Sequence, residues 1–288
     1  MPFDPKTNKF PYTEYTDEHY LKVKKDDGTV FDTKYKYVDD SKEFKRKTFF
    51  FNLLLRYIVN PMSYVRFNLR VKGRKNLKKY RHVLEKGAVT ICNHVAMWDY
   101  ILIKNALWKF NTRVIVWAPN IKGENGKMIR MIGGVPFPDS EPRVNAKCFN
   151  DIERFINNGG LFHVYPEGSM WEFYMPIRPF KEGASYFSVK CNKPILPLGI
   201  SYRENGFIRK KMFKSPASLT LNIGEPIYPN KDLNEKDAIE DLTIRSHDAV
   251  CRLVGIDPKE NIYEPIFNKS KRIDYYTDKY GVGYKGSW

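Results

Sequence analysis

Gly87-Ala88-Val89-Thr90-Ile91-Cys92-Asn93-His94-Val95-Ala96-Met97-Trp98-Asp99 is the stretch that decides how this chain folds. It opens as a short apolar run behind a glycine, which is the pattern of a buried strand. A helical pattern follows near 96–109. Outward from here the same alternation recurs. Strands are expected at Ala88–Cys92, Arg113–Trp117, Val135–Phe137, Leu161–Tyr165, Ile195–Tyr202 and Ser218–Ile223. Helices are expected near 124–132, 143–157, 183–191 and 235–253. Such alternation predicts an α/β domain of three layers, with a mostly parallel mixed sheet flanked by helices.

Four regions are expected. Residues 1–41 form a polar, Tyr-rich arm, read as a small hairpin or an extended cover over the main domain. Residues 42–69 form an amphipathic helical segment, in which Phe44, Phe49, Phe51, Leu54, Leu55, Ile58 and Val59 recur at helical spacing and Asn60-Pro61 breaks or kinks the run. Residues 70–260 carry the α/β domain, and 261–288 an irregular basic tail. Residues 70–86 hold eight Lys/Arg against Glu85 alone. An aromatic, leucine-rich helix beside a polybasic stretch suits an interfacial membrane anchor. A core helix followed by a solvated basic face fits the same pattern. The patch Phe207-Ile208-Arg209-Lys210-Lys211-Met212-Phe213 is a second candidate contact.

The 288 residues carry 49 Lys/Arg against 33 Asp/Glu, a net charge of +16 that calls for an anionic partner. The uncharged run Gly87–Trp98 falls well short of the ~20 apolar residues of a spanning helix. The opening MPFDPKTNKFPYTEYTDEHY lacks the basic and apolar regions of a signal peptide, so a cytoplasmic protein is expected. Cys92, Cys148, Cys191 and Cys251 stand far apart, and the five histidines show no ligand spacing, so neither a disulfide framework nor a metal site is expected.

Two blocks follow apolar strands directly. In Asn93–Asp99, His94 and Asp99 can meet if His94 lies in the strand-to-helix turn and Asp99 one turn into the helix. A carboxylate on one imidazole nitrogen fixes the tautomer and raises the basicity of the other. In Val164-Tyr165-Pro166-Glu167-Gly168-Ser169, Glu167 is a candidate acceptor for a polyol and Gly168 permits close approach of a ligand. Ser169 lacks the G-x-S-x-G context of a hydrolase nucleophile.

With Gly133–Pro138, Pro194–Leu198 and Phe180-Lys181-Glu182-Gly183-Ala184, these blocks occur in an order that resembles the glycerolipid acyltransferase family, which includes the 1-acylglycerol-3-phosphate acyltransferases. That family carries N-H-x-x-x-x-D, a Gly-rich block ending in Arg, P-E-G-T-R and a Pro-bounded apolar strand. The resemblance covers roughly residues 70 to 225. It implies acyl transfer from a thioester to a hydroxyl, with His94 as general base, Asp99 as its support, and Glu167, Gly168 and Ser169 at the acceptor. The implied donor is acyl-CoA or acyl-carrier protein, with no bound cofactor.

Two departures concern the acceptor's phosphate. Ser140 and Met170-Trp171 stand where family members commonly have Arg and Arg-Ser. Lys122, Arg130, Arg143, Arg178 and Lys181 are the candidate replacements. A lysophospholipid acceptor lies in a bilayer, so Phe49, Phe50, Phe51, Leu54 and Leu55 are expected to enter an anionic membrane surface, with the protein peripheral on its cytosolic face. A nucleic-acid partner would explain the charge but not the ordered blocks, and is not expected.

Overall fold

The computed structural model describes residues 26–138, 141–170, 177–213, 217–259 and 261. In chain order the elements are α1 (Lys42–Leu54), a π-helical turn (Leu55–Val59), α2 (Asn60–Phe67), β1 (Arg70–Lys72), α3 (Arg74–Lys79), α4 (Arg81–Leu84), β2 (Ala88–Ile91), α5 (Asp99–Ala106), β3 (Thr112–Trp117) and α6 (Ala118–Lys122). There follow α7 (Gly126–Ile132), β4 (Gly134–Phe137), α8 (Pro142–Asn157), β5 (Leu161–Val164), α9 (Gly183–Cys191), β6 (Ile195–Arg203), α10 (Phe207–Phe213), β7 (Ser218–Ile223) and α11 (Glu235–Val254).

Seven strands form one mixed sheet in the order β1-β7-β6-β2-β5-β3-β4. The five strands from β6 to β4 run parallel, β7 runs antiparallel to β6, and β1 follows β7. Successive strand residues point to opposite faces, so each buried strand feeds two cores. Val89, Ile91, Phe162 and Val164 meet α8, α9 and α11 on one face. Ala88, Cys92, Leu161, Leu196 and Leu198 meet α5 and the end of α2 on the other. This is the expected three-layer α/β architecture with a helical segment ahead of it. The edge strand β1 escapes sequence reading because its three residues, Arg-Val-Lys, carry a charged pattern on a mostly exposed edge.

At Asn60-Pro61 the α-helical run is interrupted by a π-helical turn, without a break in the chain of helical residues. Val59 and Asn60 keep right-handed helical dihedrals, and Pro61 sits in the first turn of α2. The missing Pro61 donor falls beside the π-helical turn, where the Asn60 N–H reaches back to the Leu55 carbonyl. The rod from Lys42 to Phe67 is thus continuous, about 39 Å long at 1.5 Å per residue. It begins near Arg113 and Arg130, which hold their guanidinium groups over the Phe44 ring, and ends at Asn68 beside β7.

Residues 26–40 contain no strand, so the hairpin is not formed within them; residues 1–25 and the tail from 262 lie outside the described residues. The Tyr37 ring is fully buried in the same core as Val89 and Phe162.

Candidate active site

Ile91 and Val164 are register partners at the carboxyl ends of β2 and β5. The turns that follow therefore emerge side by side, and two sequence blocks 73 residues apart become one site. The Glu167 carboxylate joins them by accepting the His94 backbone N–H at 3.0 Å. Asn93 fixes the first turn from the other side: its amide donates to the Ile200 carbonyl at 3.0 Å and accepts the Ile200 N–H at 2.8 Å. Asn93 thus extends the β2–β6 pairing by one rung.

His94 lies in the turn, as expected, but Asp99 is the first residue of α5 rather than one turn inside it. The turn curls around its carboxylate. Asp99 Oδ2 accepts the backbone N–H groups of Val95 at 2.7 Å and Ala96 at 2.9 Å, and lies 3.2 Å from His94 Nδ1. Burial pushes the Asp99 carboxyl above its usual range, while the His94 ring and both N–H groups pull the other way. The His94 ring is 23% exposed and stacks on Tyr165, with centroids 3.9 Å apart and planes 13° from parallel. Nδ1 is held by Asp99, so Nε2 is the nitrogen left for a proton from outside.

The second turn is a brace more than a binding surface. Glu167 is fully enclosed. Besides His94 it meets Arg178, which offers its backbone N–H at 2.9 Å and its guanidinium at 3.1 Å. Arg178 also donates to the Ser169 hydroxyl at 3.0 Å and to the Ser169 carbonyl. Glu167, Ser169 and Arg178 are each 3% exposed or less. The sequence reading set all three at the acceptor; here they bond one another, and an ion pair this enclosed positions the His94 turn from within. Gly168 holds φ at +83°, and a β-carbon there would press on the Lys181 side chain at 3.0 Å. Glycine therefore lets Lys181 lie across the turn.

The other cations are spread out. Arg130 gives its guanidinium to the carbonyls of Lys36, Tyr37 and Gly134, so it clamps the N-terminal segment and is not placed for a phosphate at His94. Lys122 pairs with Asp26 at 3.3 Å. Arg143 is exposed in the first turn of α8, the helix that follows β4 in the chain. Of the five, Arg178 and Lys181 are brought against the His94–Glu167 turns, Arg178 enclosed in its ion pair with Glu167 and Lys181 across Gly168. Met170 is buried, while Ser140 and Trp171 lie outside the described residues. Asn93 and Tyr165 stand inside the quoted blocks, yet sequence reading assigned them nothing, since neither titrates near neutrality.

Among the membrane candidates, Phe49, Phe50 and Leu54 are exposed on the outer side of α1, and Phe51 is half-buried. Leu55 is a correction: it is buried, because it lies on the seam that packs inward. Among the described residues no helix is long and apolar enough to cross a membrane, and no group of three metal-ligating side chains occurs.

Residues 68–201 match the Acyltransferase family model. Over 180 residues the chain is 26% identical to 1-acyl-sn-glycerol-3-phosphate acyltransferase beta of Homo sapiens. That alignment takes in 61% of this chain and 64% of the human protein, so the chain spans just under two thirds of its relative's length. A solved structure, the 1-acyl-sn-glycerophosphate (LPA) acyltransferase PlsC from Thermotoga maritima, aligns with a TM-score of 0.45 at 19% identity, over 76% of this chain and 91% of that one.

Proposed function

We propose, from the match of residues 68–201 to the Acyltransferase family model, that the chain moves a fatty acyl group from an acyl thioester to a lysophospholipid hydroxyl. The acceptor proposed is 1-acyl-sn-glycerol-3-phosphate, giving phosphatidic acid. The donor is acyl-CoA or acyl-carrier protein. The observation that carries this reading is the His94–Asp99 contact at the open end of β2, locked from behind by Glu167.

His94 Nε2 takes the proton of the acceptor hydroxyl as its oxygen attacks the thioester carbonyl. Asp99 holds the ring and stabilises the imidazolium, as the acid does in a serine-protease triad. The new C–O bond forms, the C–S bond breaks, and the imidazolium returns its proton to the departing thiolate. No acyl-enzyme is needed. Lys181 is the cation best placed to meet the acceptor's phosphate.

The acceptor is a membrane lipid, so the enzyme works on an anionic membrane surface, on its cytosolic face. The exposed apolar side of α1 and α2 supports this peripheral mode.

The test is acyl transfer by the purified chain, with either donor and with lysophosphatidic acid, glycerol 3-phosphate, other lysophospholipids and a non-phosphorylated lysolipid. Mass spectrometry identifies products. His94→Ala is expected to lose about 10²–10⁴-fold in rate with an unchanged melting curve. Preference for another lysolipid would redirect the acceptor, which the enclosure of Arg178 and Arg130 makes the specific second reading. Absence of product with every pair, from folded protein, would leave a lipid-binding relative without catalysis.

A further inference from the structure

We propose that the sheet edge bearing His94 itself seats on an anionic lipid surface, with α10 as a second contact that enters the boundary between headgroups and acyl chains. The proposal rests on the membrane reading above and adds the orientation of the protein on that surface.

β6 runs parallel to β2 with Ile91 opposite Pro197. From that level His94 is three residues on, while β6 continues six residues to Arg203. The overrun is about 10 Å at ~3.3 Å per residue. α10 stands on this overrun and projects past the catalytic edge. Phe207 at 82% and Ile208 at 74% are the two most exposed of the described large hydrophobics, and Met212 beside them is 68% exposed. Met97 and Trp98, in the His94 turn, add two exposed apolar side chains at the same edge.

Charge names the occupant. Residues 203–213 carry Arg203, Arg209, Lys210 and Lys211 against Glu204 alone. Burial, and then the neighbouring charges of Arg70 and Arg209, hold Arg203 below its ordinary value, so the positive charges of Arg70, Arg203 and Arg209 are felt together at the end of β6. Exposed apolar side chains among a cluster of cations match a bilayer with anionic headgroups.

The stem of α10 is also fastened to the proposed helical anchor. Arg203 donates to the Asn68 carbonyl, the Asn68 amide donates to Ser218 Oγ at 3.1 Å, and Ser218 donates to Asn205. Asn68 caps α2, whose Met62 and Val65 are exposed. The basic run of residues 74–86, by contrast, leads from β1 to the start of β2, toward the opposite edge of the sheet. It therefore does not share a surface with α10, and the single anchor over 42–86 read from the sequence divides in two.

The test labels single cysteines with an environment-sensitive fluorophore in the full chain. The four native cysteines are buried, so the added thiol takes the label. Ile208→Cys reports α10, Phe50→Cys reports α1, and Lys86→Cys reports the far edge. Vesicles are phosphatidylcholine with or without phosphatidic acid, and brominated lipids read depth by quenching. The expected result is a blue shift and lipid quenching at positions 208 and 50 with anionic vesicles, and neither at 86. A response at 50 without one at 208 would overturn the proposal and leave the α1 anchor standing. A response at 208 alone would support it and remove α1 from the contact. Silence at 50 and 208 would overturn both, whatever the outcome of the transfer assay.

Discussion

His163 fills the space behind His94 as a neutral ring. Its Nδ1 lies 2.9 Å from Thr90 Oγ1, and Tyr165 packs edge-on against it at 4.5 Å. Burial, and secondarily the charge on His94, press its pKa down to about 3. In the unfolded chain an imidazole takes a proton near pH 6.5. Between those values the unfolded state binds the extra proton, so stability is full above pH 6.5 and falls as pH drops, by up to about 1.4 kcal/mol per unit. Urea midpoints measured from pH 7 to pH 4.5 are expected to decline less steeply in His163→Leu than in the parent. Parallel slopes would remove His163 as a source of acid sensitivity. At this scale the His94–Asp99 contact was legible, because their spacing lets the two meet where a strand turns into a helix. The enclosure of Arg178, Glu167 and Ser169 was not legible. A charged or hydroxyl side chain in a motif suggests a ligand, and nothing along the chain reveals that a buried partner eleven residues away already holds Glu167.

The rod of α1 and α2 buries Thr48, Leu55, Ser63 and Phe67, with Phe44, Phe51, Asn52 and Val59 half-buried beside them. From Leu55 on, the seam advances by fours. In a plain α-helix each such step turns the seam by about 40°, and the wider π-helical turn takes up part of that drift. Hence the two apolar faces of one helix have different work. Leu55→Ala is expected to lower unfolding free energy by about 2–4 kcal/mol in urea titration. Phe50→Ser should change it by less than about 0.5 kcal/mol while weakening vesicle binding. Equal losses for the two would show that the outer face is packed as well. The parallel strands were legible because each is a short apolar run closed by turn residues. The π-helical turn was not, because Asn-Pro signals a lost hydrogen bond without saying how neighbouring residues reroute theirs. α10 was hidden as an element by its own composition: Phe207, Ile208 and Met212 face solvent, so they read as a patch instead of a core helix.

Across the whole molecule the charge surplus falls almost entirely after residue 47, since residues 1–47 hold eleven Lys/Arg against ten Asp/Glu. The sheet separates that surplus into an edge with His94 and α10 and an edge with α4 and the start of β2. In the proposed membrane mode, long-range attraction to an anionic bilayer belongs to the whole domain, and insertion to the exposed apolar residues of α1, α2 and α10. Co-sedimentation with anionic vesicles is accordingly expected to drop between about 0.05 and 0.5 M salt, as the screening length shrinks toward a few ångströms. Pelleting that ignores both salt and lipid charge would assign binding to insertion alone.

The N-terminal segment enters this picture through one ring. Tyr37 shares a core with β2 and β5, and Arg130 grips the carbonyls of Lys36 and Tyr37 from outside. In effect the lead-in is a plug, and the α/β layers are a vessel that it closes. A boundary drawn by motif at residue 70, or by helix at residue 42, cuts the stopper away and leaves a tyrosine-sized hole opening onto the sheet. The unit that evolution must keep intact is therefore longer than the one that carries the chemistry.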